Sequence, residues 1–140
     1  MDRGQPVPLQ QGRDCLRQAR IRPTRQRVDI ATLLADKGFR HVTADLLHRE
    51  ALDAGMAVSL ATVYNTLHEF TEAGLLRKVP VGERAFFCTN VVPHHHFYDE
   101  QTGELYDVPQ GLPLVGDMPA PPDGMEIVGV EVLLRIRKRA

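Results

Sequence analysis

Apolar positions in the first half of the chain recur with helical spacing between residues that begin and end helices. Three segments each begin at a hydroxyl residue suited to capping a helix and end at a glycine: Thr24 to Gly38, Thr43 to Gly55 and Ser59 to Gly74. Within each segment apolar side chains return every three or four positions. The pattern predicts three helices joined by short loops, preceded by a shorter helix around residues 14–21.

The period changes after the third of these segments. The short apolar runs LLRKVPV and RAFFCTN are separated by Gly82-Glu83, which predicts a β-hairpin. Three helices followed by a hairpin is the order of a winged helix-turn-helix. Four apolar residues share one face of the third helix and are expected to pack on the other two: Leu60, Val63, Leu67 and Phe70.

The second half of the chain has the spacing of short strands. After the segment NVVP, the runs HHHFYDE and ELYDV flank Gln101-Thr102-Gly103 and predict a second hairpin. Prolines disfavour a long helix over residues 109–124, and alternation from Val128 to Ile136 predicts a long half-buried strand. A module this thin buries little core by itself, so we expect it to pair with a second copy.

Charge is distributed unevenly along the chain, although the net charge is only −1. Residues 13–27 carry six arginines and one acid, whereas residues 90–134 carry eight acids and no lysine or arginine. The basic end suits a polyanion such as nucleic acid. The alternative is a solvated arginine face without a partner.

Other features of composition exclude several classes of protein. No apolar run approaches the ~20 residues needed to span a membrane, and the N-terminus lacks the apolar core of a secretory signal. We therefore expect a cytoplasmic protein without a membrane partner. The two cysteines, Cys15 and Cys88, form no CxxC pair, which excludes a disulfide framework and a structural four-cysteine zinc site.

The third predicted helix carries side chains suited to reading DNA. Ala61, Thr62 and Asn65 lie opposite its apolar face, with Tyr64 on the flank. Asparagine can pair with adenine, and threonine, alanine or an aromatic edge can contact the thymine methyl. The alternative is a tyrosine at the core edge beside a solvated asparagine. With the cations expected to contact phosphates, the candidate DNA-binding residues are Arg22, Arg25, Arg27, Ser59, Thr62, Tyr64, Asn65, Arg77 and Lys78.

The three consecutive histidines are the main candidate for a ligand site. On a strand, His94 and His96 point to one face and His95 to the other. Two imidazoles at this spacing can converge on one metal ion, or one of them can bind haem iron axially. The alternative is a polar strand end with solvated histidines.

The strings RPTRQRVDI, HVTADLL and SLATVYNTLHEFTEAGLL, followed by a hairpin and HHH, resemble the Fur superfamily of metal-dependent repressors over about residues 20–110. Together with the C-terminal LRIRKR, they are most similar to its iron response regulator group, Irr. The resemblance implies an α+β chain with an N-terminal winged helix-turn-helix followed by a small α/β dimerisation domain. We assign residues 1–90, which include an N-terminal arm, to the first domain and residues 91–140 to the second.

The resemblance also assigns roles to single residues. Tyr64 falls on the base-contacting tyrosine, while Asn65 stands where many relatives have arginine. The acidic ligand that precedes the histidines in relatives falls at Phe87 or Cys88, neither of which is a carboxylate. If the position is that of Cys88, a soft ligand replaces a hard one. The implied ligands of a divalent metal (Fe, Mn or Zn) are His41, His94, His96, Asp107 and Cys88, and those of haem are His94, His95 and His96.

One departure from the family concerns structural zinc. Relatives carry a cysteine pair where this chain has residues 99–102, so no structural zinc held by four cysteines is expected. Together with the missing carboxylate ligand, this favours the Irr pattern, in which haem acts against the regulator. The alternative is the Fur pattern, in which Fe, Mn or Zn is a corepressor. The expected partners are a double-stranded DNA operator, a second copy of the chain and a haem-delivering protein.

Two further classes of function compete with a regulator. A metalloenzyme would need an open metal position and a general base, for which Asp99 or Glu100 would serve, but no HExxH or Ser/His/Asp order accompanies them. A winged-helix module that binds only protein would leave the histidines without a role. We expect a regulator and not an enzyme.

Overall fold

The computed structural model describes residues 12–109 and 116–140 and divides into two units, with the boundary between Val91 and Val92. The expected N-terminal arm and part of the proline-rich segment lie outside the described residues. The first unit contains α1 (Arg13–Gln18), α2 (Arg25–Ala35), β1 (His41–Val42), α3 (Ala44–Asp53), α4 (Leu60–Glu72), β2 (Arg77–Val81) and β3 (Arg84–Cys88). The second contains β4 (His96–Asp99), β5 (Leu105–Asp107) and β6 (Leu133–Ile136).

Each of the three predicted capping residues begins its helix as expected. The hydroxyl oxygens of Thr24, Thr43 and Ser59 accept hydrogen bonds from the backbone N–H groups three residues later, at 3.3, 3.2 and 3.1 Å. These bonds satisfy amide groups that have no partner within the helix, and each cap contributes about 1 kcal/mol to stability. The sequence pattern therefore located the starts of α2, α3 and α4 correctly.

The turn between α3 and α4 is fixed at both ends. Gly55 has φ of +82°, which allows the N–H of Met56 to bond the carbonyl of Ala51 and close α3. His48 on α3 lies 3.0 Å through Nε2 from the carbonyl of Val58, which directly precedes the cap of α4. Because a carbonyl only accepts, the imidazole donates this bond. The two contacts set where α4 begins relative to α3.

A three-stranded antiparallel sheet completes the first unit, in the order β1-β3-β2. The predicted hairpin is β2 and β3, and the sequence pattern missed β1, which has only two residues. The backbone of Arg40 bonds Thr89 in both directions and closes the end of the β1–β3 pairing. This pairing brings the segment before α3 against the last residues of the hairpin formed by β2 and β3, which is the wing.

The core of the first unit lies between the helices and the inner face of the sheet. Val63, Leu67 and Phe70 on α4 are fully buried, as predicted, and each contributes about 1.5–3 kcal/mol through burial. The prediction for Leu60 is wrong, because its side chain is 41% exposed. Leu60 is the first residue of α4, where the helix extends beyond the core, and Thr66 is buried instead.

The described part of the second unit is a sheet in the order β5-β4-β6, in which β4 and β5 are antiparallel and β4 and β6 parallel. The β4–β5 turn is held by the Asp99 carboxylate, which accepts the N–H groups of Gln101 and Thr102 at 2.8 and 3.3 Å. The bond from Gln101 lowers the pKa of Asp99 below its usual range. Residues 99–102 therefore form a turn held by the Asp99 carboxylate.

The last strand is shorter than predicted. Only residues 133–136 pair with β4, and Val128 is 92% exposed. Apolar and polar residues do alternate over residues 128–136, but only residues 133–136 pair with a neighbouring strand. No helix among the described residues has the length and apolar character needed to cross a membrane.

Candidate metal centre and DNA-reading helix

Two histidines and a carboxylate converge on one face of the second unit. His96 on β4 is the register partner of Asp107 on β5, so their side chains share a face of the sheet. Nε2 of His94 and Nε2 of His96 lie 2.8 and 3.5 Å from the same oxygen, Oδ1 of Asp107. The two imidazoles are buried, at 8% and 5% exposure, with ring centroids 4.4 Å apart.

The other ring nitrogen of His94 determines which atom can bind a ligand. Nδ1 lies 2.5 Å from the carbonyl of Val92, and since a carbonyl only accepts, Nδ1 carries a proton. Nε2 is then the donor atom that faces Asp107. An imidazole that donates one N–H to a backbone carbonyl and offers its second nitrogen is the usual arrangement of a metal-ligating histidine. The group of two histidines and one carboxylate fits a divalent transition metal.

A second pair of metal-ligating side chains occurs in the first unit. His41 on β1 and Cys88 on β3 are register partners, and their ligand atoms lie within 4.8 Å of each other. Cys88 is 1% exposed. A thiolate and an imidazole are a donor set suited to zinc and other borderline metals. The sequence left open whether Phe87 or Cys88 stands at the position of the acidic ligand. Of these two residues, Cys88 is the one that lies beside a histidine.

His95 differs from its two neighbours, as the strand alternation predicts. Its Nδ1 accepts the N–H of Val132 at 3.0 Å, while its backbone carbonyl accepts the N–H of Val108 at 2.9 Å. The residue thus connects β4 to the segments that follow β5 and precede β6. Its imidazole is used in holding the sheet together, on the face opposite to the carboxylate group.

The first turns of α4 present the side chains predicted to read DNA. Tyr64 is 44% exposed and Asn65 is exposed beside it, while Thr62 is half-buried. Ser59 is exposed, but its hydroxyl is already used, because it caps the helix and donates to Oγ1 of Thr62 at 3.0 Å. Tyr64 and Asn65 are therefore the residues of this face most available to a base edge.

The predicted phosphate-contacting cations differ in their surroundings. Arg22, Arg25 and Lys78 are exposed, and Arg77 is half-buried. The Arg27 guanidinium donates to the carboxylate of Glu69 on α4 at 2.7 Å and to the carbonyl of Arg22 at 2.9 Å. The structure thus uses Arg27 to join α2 to α4.

Sequence reasoning missed three residues that bear on these surfaces. Arg84 begins β3 beside the tip of the hairpin and is exposed. Its position next to the predicted turn Gly82-Glu83 could have indicated this exposure. Arg40 forms two hydrogen bonds to the carboxylate of Glu50 on α3, at 2.9 and 2.6 Å. His68 lies between two aromatic rings. The helical spacing of Tyr64 and His68 could have indicated their contact, whereas nothing in the local sequence indicated the pairing of Arg40 with Glu50 or of His68 with Phe87.

Comparison with known proteins places these features in a family. Residues 18–112 match the Ferric uptake regulator family. The Ferric uptake regulation protein of Pseudomonas aeruginosa is 33% identical over 94 residues, which are 66% of this chain and 70% of that protein. The Peroxide-responsive repressor PerR of Staphylococcus aureus is 34% identical over 93 residues, 66% of this chain and 62% of that protein.

A solved structure is similar over most of the chain. The ferric uptake regulator from Pseudomonas aeruginosa with manganese has a TM-score of 0.69 and 28% sequence identity, and the match covers 92% of this chain and 98% of that one. The likeness confirms the predicted α+β fold, with an N-terminal DNA-binding domain followed by a small α/β domain. The chain belongs to the ferric uptake regulator family of metal-responsive transcriptional regulators.

Proposed function

We propose that this protein binds an operator in double-stranded DNA through α4, with Tyr64 and Asn65 contacting bases. The observation that carries the proposal is the exposure of these two residues in the first turns of a helix whose opposite face is buried. Family membership supports it. Arg22, Arg25, Arg77 and Lys78 are proposed to contact phosphates around the helix, and such contacts make the affinity depend steeply on salt.

The DNA-binding proposal is tested with the duplex that the protein enriches from a random-sequence library. We expect Tyr64→Ala to weaken binding of that duplex by about ten- to a hundredfold, the effect of losing a good base contact. Leu52→Ala, which changes an exposed side chain on α3, is the control and should bind normally. Equal binding by the two variants would contradict the role of α4.

We also propose that the DNA-binding form is controlled by one divalent transition metal ion. Its ligands would be His94, His96 and Asp107 together with His41 and Cys88. The convergence of Nε2 of His94 and Nε2 of His96 on Oδ1 of Asp107 supports the first group, and the register of β1 and β3 supports the second. The five residues 89–93 join the two groups along the chain. The related structure with manganese supports a divalent ion as the ligand class.

Such an ion would affect DNA reading through the elements that carry its ligands. Two residues separate His41 from the start of α3, and Cys88 ends the strand β3. An ion held by both residues favours one arrangement of β1 and β3 over others. A ligand that prefers one arrangement shifts the population toward it, and this is how metal would strengthen operator binding.

A second candidate is haem control, as in the Irr group. Cys88 in place of a carboxylate ligand, and a turn in place of a cysteine pair, favour it. The burial of His94 and His96 favours a small ion instead, because haem requires an open face. Adding haem should produce a shifted Soret band that His94→Ala combined with His96→Ala abolishes. An unshifted band would exclude this candidate, together with a haem-delivering partner.

We propose that the protein acts as a homodimer in the cytoplasm. Among the described residues, β6 is an edge strand of the second sheet. Apolar side chains of the segment before it and of its last residue are exposed: Ile127, Val128, Val130 and Ile136. An exposed apolar row beside an unpaired strand edge suits association with a second copy. Sedimentation should give twice the 15.7 kDa chain mass, and a monomer would contradict the proposal.

A further inference from the structure

The base-reading face of α4 is connected to the wing by a row of three aromatic rings. His68 lies one helical turn after Tyr64, and their ring centroids are 4.4 Å apart at an interplanar angle of 58°. On its other side His68 meets Phe87 of β3 edge-on, with centroids 5.6 Å apart and an angle of 85°. The 5.6 Å distance is within the roughly 4.5–7 Å at which aromatic pairs attract one another, and the 4.4 Å distance is at the short end of that range.

The two ends of this row differ in how closely they are packed. Phe87 is 1% exposed and is flanked in the sheet by its register partners Val42 and Lys78. Tyr64 is 44% exposed, so solvent touches much of its ring. The ring of His68 therefore lies between Phe87, which is fixed in the core, and Tyr64, which is packed on one side only.

Nε2 of His68 does not account for the position of this side chain. Its Nε2 is buried and has no hydrogen-bond partner among residues 12–109 and 116–140. Burying an unsatisfied ring nitrogen disfavours folding, so this imidazole does not contribute through a hydrogen bond at Nε2. The interactions that the structure shows for this side chain are the contacts of its ring with Tyr64 and Phe87.

We propose that His68 is a positioning residue that holds the ring of Tyr64 in its DNA-facing orientation, supported from behind by Phe87. This rests on the proposed role of Tyr64 in reading DNA. A side chain already held in its bound orientation loses less conformational freedom when DNA binds, so it contributes more to affinity. Because Phe87 precedes Cys88 in β3, the row also begins next to a proposed metal ligand.

The proposal is tested by a double-mutant cycle on the full chain with the duplex that wild-type protein enriches. We expect His68→Ala to weaken binding of this duplex by about three- to tenfold, which corresponds to about 0.7–1.4 kcal/mol. Binding to unrelated DNA should not change. In a Tyr64→Ala background the same substitution should have no further effect. His68→Phe, which keeps a ring, should restore most of the affinity, and Glu72→Gln on the same helix is the control.

A merely structural role for His68 predicts a different result. Loss of stability would weaken binding equally with and without Tyr64, and equal losses in the two backgrounds would overturn the proposal. Thermal melts of each variant show whether it is folded at the binding temperature.

A measurement without DNA separates this proposal from the proposed function. The protein has three tyrosines, and with ¹³C-labelled tyrosine rings Tyr98 and Tyr106 provide internal references. In His68→Ala the ring order parameter of Tyr64 should fall while the other two stay unchanged. An unchanged value for Tyr64 would overturn the role of His68. Failure of wild-type protein to enrich any duplex would instead overturn the proposed function.

Discussion

At the scale of single residues, Cys88 is the candidate ligand that adds sulfur to a set of nitrogen and oxygen donors. The sequence indicated that a cysteine or a phenylalanine stands at the position of an acidic ligand, and the pairing of β1 with β3 puts His41 beside Cys88. The three consecutive histidines were separable from sequence, because alternation on a strand assigns His95 to the other face. The hydrogen bond from the N–H of Val132 to His95 could not be predicted from the sequence, since those residues are 37 positions apart.

Cobalt substitution tests Cys88 as a ligand. A cysteine binds metal as the thiolate, and a thiolate on Co²⁺ gives an intense charge-transfer band in the near ultraviolet. We expect the band in wild-type protein and in Cys15→Ser, since burial raises the pKa of the Cys15 thiol and keeps it protonated. The band should be absent from Cys88→Ser. A band of full intensity in Cys88→Ser would remove Cys88 from the ligand set.

The ion pair between Arg40 and Glu50 joins α3 to the residue that precedes His41. Both side chains are largely buried, at 12% and 20% exposure. The hydrogen bond from Arg40 lowers the pKa of Glu50 below its usual range. Its contribution to stability is therefore fully present above the pKa of the unfolded chain and is lost as pH falls through the lower, folded value.

We expect Glu50→Gln to lower the free energy of unfolding at neutral pH by about 1.5–3 kcal/mol, because Arg40 loses a charged acceptor. The difference from wild type should shrink in acid, where Glu50 of the wild-type protein is protonated. Urea unfolding at both pH values measures it. Asp29→Asn, which breaks an exposed pair at 3.8 Å, is the control and should change stability by under about 1 kcal/mol. A difference independent of pH would contradict this account.

At the scale of elements, the helices were predictable and two of the strands were not. Hydroxyl caps, helical periodicity and closing glycines are local signals, and α2, α3 and α4 begin where those signals indicated. The two-residue strand β1 exists only because β3 pairs with it. Strand β6 is shorter than the predicted strand because β4 pairs only with residues 133–136. Pairing between distant segments, which determines both, leaves no periodic trace in the sequence.

The start of α4 has two roles that can be separated by substitution. Ser59 caps the helix, and Asn or Asp can replace a serine in that role, whereas alanine cannot. We expect Ser59→Ala to cost about 1 kcal/mol of stability and Ser59→Asn to cost less. Ser59→Asp should keep the cap but weaken DNA binding, because its charge repels nearby phosphates.

Comparing Ser59→Asp with Ser59→Asn isolates the charge, since the two side chains are alike in size and capping ability. Thermal melts and binding of the enriched duplex measure the two roles separately. Equal DNA affinity in the two variants would mean that the first turn of α4 lies away from the phosphate backbone.

At the scale of the whole molecule, the uneven distribution of charge and donor atoms follows the division into two units. The first unit carries the arginine-rich segment, the exposed face of α4 and the pair His41–Cys88. The second carries the carboxylate and two histidines. Composition indicated the uneven distribution of charge, and the family resemblance supplied the candidate ligands. The identity of the ion was not predictable, because thiolate, imidazole and carboxylate together suit several metals.

The central claim is that metal occupancy controls operator binding. Fluorescence anisotropy of the enriched duplex, with protein first stripped by a chelator and then loaded with Zn²⁺, Mn²⁺ or Fe²⁺, tests it most directly. We predict that loading with at least one ion tightens binding by about five- to a hundredfold, the usual range of coupling between two sites. In the double variant His94→Ala with His96→Ala this gain should be lost. Equal affinity of stripped and loaded wild-type protein for every ion would contradict the account.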